Sequence, residues 1–213
     1  MELLLIILGI AGLAYTIIIH EVAHGWVANR LGDPTARLTG RLTLNPIPHI
    51  DPLGTIIVPL LMYFSPAHFV FGWAKPVPID PYNLKNPKKD TLLIALAGPL
   101  SNIILAVILA IIFWLIPMPQ IFADLVKTMV GLNVGLAVFN LIPVSPLDGE
   151  KILVGLLPDK EAREFEYFMN KFGFILLAFL IFPIFGGVSL ISPILYPIIN
   201  FILNLLIPGF PRY

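Results

Sequence analysis

A cluster of ionisable side chains inside an apolar run leaves a chain few choices of fold. Here the run from Leu3 to about Asn29 carries His20-Glu21-Val22-Ala23-His24 near its C-terminal end. On a helix, residues four apart share a face, so both imidazoles reach one metal ion with Glu21 beside them. Two neutral imidazoles hold Zn²⁺ without cancelling its charge. A third ligand completes such a site, and an open position takes a water whose pKa falls to about 7. Glu21 is placed to take that proton and hand it to a leaving amine. Ionisable groups in an apolar span are costly and are kept for a function. The pattern points to zinc-dependent hydrolysis at one Zn²⁺, with His20 and His24 as ligands and Glu21 as general base and acid.

Composition supports a membrane setting. Hydrophobic residues make up 58% and charged ones 12%, and mean hydropathy is +0.92, too apolar for a soluble domain. Net charge is zero, so no nucleic-acid partner is indicated. The absence of cysteine excludes disulfides and thiolate zinc sites, leaving His, Asp and Glu as ligands. The only histidines are His20, His24, His49 and His68. The chain opens Met1-Glu2 with neither a basic segment nor a small-x-small cleavage site, so its first apolar run reads as a retained span.

Beyond that span, Ala36 to Leu44 alternates apolar or small with polar residues, which predicts a half-buried strand or small β-hairpin near the site. An exposed strand edge there would pair with an extended substrate, or would simply cover the site. Leu53 to Phe71 is apolar but broken by Pro59 and Pro66. Further spans are predicted at about Thr91–Ile116, Phe122–Ile142, Phe165–Phe185 and Val188–Ile207, the last two meeting at Gly186-Gly187. The expected architecture is an all-α polytopic membrane protein with about five transmembrane helices, a re-entrant or interfacial segment and a small β-hairpin. It forms one membrane-embedded domain over residues 1–213, with 3–29, 91–116 and 122–149 as its catalytic core.

Asp148 comes after the proline-interrupted end of the third of these spans, and a zinc ion would satisfy its carboxylate there. Glu161, Glu164 and Glu166 are the alternative third ligands. H-E-x-x-H on one span and N-x-x-P-x-x-x-x-D-G from Asn140 to Gly149 on a later one resemble the site-2 protease family of intramembrane zinc metalloproteases. Ala97-Gly98-Pro99-Leu100-Ser101-Asn102 resembles that family's Gly-Pro signature. The resemblance implies that His20, His24 and Asp148 bind zinc, that Glu21 is the general base and acid, and that Asn140 binds substrate or stabilises the oxyanion. It also implies transmembrane proteins as substrates, cut within or beside the bilayer. The chain departs from six-span archaeal relatives by one span fewer before H-E-x-x-H, and it carries no PDZ- or CBS-like appendage. A metal transporter using the same buried ligands is the alternative from another class, although no run of ligands along several spans marks a path.

Shared ligation has a topological consequence. His20 and Asp148 each lie near the C-terminal end of their own span, so the two spans must run in the same direction. One crossing, Thr91–Ile116, then separates them, and Leu53–Phe71 must be re-entrant, interfacial or a bent hairpin. With that arrangement every lysine and arginine except Lys127 falls on one side, which the positive-inside rule makes cytoplasmic, together with the zinc site. His49, with Asp51, is a candidate gate, second-sphere partner or alternative ligand. His68 reads as interfacial. Asn102 either bonds a neighbouring helix or assists the site.

Overall fold

The computed structural model describes residues 2–63, 72–182 and 189–210. Helix α1 (Glu2–Leu31) is followed by a single helical turn, α2 (Thr35–Leu38). Two 3₁₀ and π-type turns at Ile47–His49 and Pro52–Ile57 lead into the short α3 (Val58–Tyr63). Then come α4 (Pro87–Leu115), α5 (Gln120–Asn140), α6 (Asp148–Leu156), α7 (Asp159–Ile181) and α8 (Ser192–Leu206). Helix α4 is the central element, packed against α1, α5 and α6.

The sequence of α4 shows why. Its residues Ile94, Gly98, Asn102, Ala106 and Ala110 recur every fourth position and are buried. The small Gly98, Ala106 and Ala110 among them let neighbouring backbones approach closely, the usual basis of helix association in lipid. The opposite stripe of Leu100, Ile104, Ile108, Ile111 and Leu115 is exposed and apolar, as a bilayer-facing surface requires. Farther along, Ala106, Ala110, Val130, Val134, Leu203 and Ile207 form a core that joins α4, α5 and α8.

Three helices among the described residues are long and apolar enough to cross a bilayer: Ile7–Leu31 within α1, then α4 and α5. This corrects the expectation of about five. Helix α7 replaces the expected span Phe165–Phe185, and its first half, Asp159 to Lys171, is strongly charged, so its apolar stretch is short. Helix α8, at 15 residues, reaches about 22 Å, against roughly 30 Å of hydrocarbon. Phe185, Gly186, Gly187 and Val188, where those two spans were expected to meet, lie outside the described residues, as does His68.

No strand is present among the described residues, so the hairpin expected over Ala36–Leu44 is also corrected. Side chains take the backbone groups that a ladder would have used. The Asp33 carboxylate accepts from the Thr35 amide and hydroxyl, turning the chain into α2, and Gly40 leaves that turn with φ +70°. Arg41 then donates its guanidinium to the carbonyls of Lys75 and Pro76. The segment from Trp73 to Asp80 is extended without a strand partner. It is held instead by Trp73 N–H to the Gly54 carbonyl, Lys75 N–H to the His49 carbonyl, and Asp80 N–H to Asp33.

Candidate metal centre

Helix α1 places His20 and His24 one turn apart on the face it packs against α4, and their rings meet edge to face with centroids 4.6 Å apart. Asp148 arrives from elsewhere in the chain. After α5, the turn through Pro143 and Pro146 redirects the backbone, and Asp148 opens α6. Gly149 makes this possible, because a Cβ there would stand 2.4 Å from the carbonyls of Leu141 and Ile142. The Nε2 atoms of His20 and His24 are 3.0 Å apart, and Asp148 Oδ2 lies 3.0 Å from the first and 3.2 Å from the second. All three residues are buried.

The polarity of this cluster decides what it holds. His24 Nδ1 is 2.6 Å from the Ile94 carbonyl, which only accepts, so Nδ1 carries the proton. His20 Nδ1 is 2.7 Å from Asn102 Oδ1, again an acceptor. Both Nε2 atoms of the neutral rings therefore present lone pairs, to each other and to a carboxylate oxygen. Among the described residues, three acceptors converge without a donor, and Asp148 Oδ2 has no hydrogen-bond partner. Gly98 completes the cradle: a Cβ there would lie 2.4 Å from His24 Nε2 and 2.5 Å from His20 Cε1. Two imidazoles and a carboxylate with this polarity are a fitting donor set for zinc.

The sequence profile of peptidase family M50 matches residues 8–123 and 117–180. The chain belongs to peptidase family M50. Similar proteins include YwhC of Bacillus subtilis, named as a candidate zinc metalloprotease, which is 36% identical over 190 residues, covering 85% of this chain and 80% of YwhC. Rip2 of Mycolicibacterium smegmatis, also named as a candidate zinc metalloprotease, is 32% identical over 67% of this chain but only 54% of its own length. The zinc metalloprotease MJ0392 of Methanocaldococcus jannaschii is 38% identical over 76 residues, which cover 36% of this chain and 22% of MJ0392. No solved structure matches the chain. This M50 peptidase is thus a membrane-embedded zinc metalloprotease, and the cluster of His20, His24 and Asp148 fits its single catalytic Zn²⁺.

The remaining sequence candidates fall differently around the M50 centre. Glu21 is half-buried, and its Oε2 accepts the Val77 N–H at 2.8 Å. Asn140, at the end of α5, donates back to the Leu136 carbonyl at 3.0 Å, and no hydrogen bond among the described residues joins it to the trio. His49 is buried beside the extended segment and bonds the Thr43 carbonyl through Nε2 at 2.9 Å, while Asp51 caps the turn at Leu53 and Gly54. Neither belongs to the metal cluster among the described residues. Glu161, Glu164 and Glu166 are exposed on α7 and do not belong to it either. Sequence reasoning missed the Val77 amide, for which no sequence signal exists. It also missed Thr16 and Asn133. Their signal was available: a buried hydroxyl one turn before His20, and a lone amide in the otherwise apolar middle of α5.

Proposed function

We propose that Glu21 is the general base of this M50 peptidase and that its substrates are membrane-spanning segments opened locally beside α1. Zinc supplies Lewis-acid polarisation of the scissile carbonyl and of the attacking water. The Val77 amide holds one oxygen of Glu21, which fixes the carboxylate and leaves Oε1 to accept a proton as water oxygen attacks the carbonyl carbon. As the C–N bond breaks, Glu21 returns that proton to the departing amine. Asn140 binds the substrate backbone, after turning away from Leu136. A helical substrate hides its scissile carbonyl in its own hydrogen bonds, so segments with helix-breaking residues near the cut are preferred.

The observation that carries this reading is the convergence of three lone-pair donors with Glu21 next in sequence to His20. The site faces the cytoplasm in this proposal, because that orientation collects the basic residues on the inner side. Cleavage of single-span model substrates by the purified protein tests the role of Glu21. Glu21→Gln is expected to abolish cleavage while zinc remains bound; unchanged cleavage in that variant would remove Glu21 as the base.

A further inference from the structure

The tautomer of His20 depends on an amide, and an amide can face either way. Asn102 presents Oδ1 to His20 Nδ1, and this leaves Nε2 free for zinc. With the amide reversed, Nδ2 would face Nδ1, the ring would carry its proton on Nε2, and a ligand would be lost. Something must therefore set the direction of the Asn102 side chain.

Two backbone carbonyls do so, one directly and one through a second asparagine. Asn102 Nδ2 lies 3.3 Å from the Thr16 carbonyl, which only accepts. It also lies 3.2 Å from Asn133 Oδ1. Asn133 is itself oriented, because its Nδ2 donates to the Met129 carbonyl at 2.8 Å and to Thr16 Oγ1 at 3.1 Å. Polarity passes from Met129 through Asn133 and Asn102 to His20. Thr16, Asn102 and Asn133 are at most 2% exposed, so water does not satisfy these groups.

We infer that Asn133 of α5 is a positioning residue of the metal centre, acting through Asn102 to hold His20 in the zinc-binding tautomer. The inference rests on the zinc site at His20, His24 and Asp148. It joins three spans to one ligand, since Thr16 lies on α1, Asn102 on α4 and Asn133 on α5.

A double-mutant cycle read as zinc affinity by chelator competition tests it. Asn133→Leu in the full-length protein is expected to weaken zinc binding tenfold or more, the usual size of an outer-sphere effect. Asn102→Ala cuts the link between Asn133 and His20 and is itself expected to weaken zinc binding tenfold or more. In that background Asn133→Leu should change affinity by less than about threefold. A merely structural Asn133 would cost the same in both backgrounds, and that result overturns the inference. So does Asn133→Leu binding zinc like the wild type. A wild-type protein that binds no zinc would overturn the metal assignment as well, which separates the two failures.

Discussion

Gly98 is where the metal centre has least room. Its missing side chain lets α4 come within contact of both imidazoles, and the Cβ of alanine would fall on His24 Nε2. Gly98→Ala is expected to lower zinc affinity at least tenfold and to abolish cleavage, with the protein still extractable as a folded monodisperse species. Zinc content of the purified variant checks this. At this scale the sequence was informative where chemistry depends on residue type and spacing. His20, His24 and Asp148 meet as their motifs imply, because an ionisable group in lipid needs a reason to be there. The Val77 amide was not legible, since any residue but proline supplies an N–H, and only tertiary packing puts this one against Glu21.

Among the elements, the extended segment Trp73–Asp80 links Glu21, the proposed base, to the rest of the fold, and Asp33 anchors its far end. Asp33 is fully buried and accepts from Asp80 N–H, Asn83 Nδ2 and Thr35. Burial would raise its carboxyl, but hydrogen bonds from Thr35, Asp80 and Asn83 prevail and hold it below the ordinary range. Asp33→Asn is expected to destabilise the protein by about 2 kcal/mol at neutral pH, the scale of a hydrogen bond to a charged group. The folded value is the lower one, so this stabilisation is fully present above the unfolded-state value near 4 and is lost as pH falls through the folded value. Thermal melts in detergent should therefore show the gap between wild type and Asp33→Asn closing in acid, below about pH 4. The same segment explains why a hairpin does not form. Over nine residues, alternation fits a strand as well as a turn whose neighbour's carbonyls bond a guanidinium, and Arg41 makes the choice. Helices α7 and α8 read as spans in the sequence because a composition window takes in the apolar end of α7 and the apolar residues after it, while the charged first half belongs to the same helix.

For the molecule as a whole, α4 is the one candidate span between α1 and α5 among the described residues, and the ligands from α1 and from the start of α6 meet beside it. The proposed orientation puts their side in the cytoplasm, with the turn before α5 outside. The chain has no cysteine, which makes the prediction simple to check. In intact cells a membrane-impermeant thiol reagent should label Gln120→Cys and spare Lys160→Cys; the opposite pattern would reverse the topology. The central claim is the metal centre itself. Zinc content measured side by side in the wild type, Glu21→Gln and Asp148→Asn tests it most directly. One zinc per chain is expected in the first two and at most about a tenth of that in Asp148→Asn, in line with loss of a direct ligand. A full complement of zinc in Asp148→Asn would contradict the assignment of the third ligand.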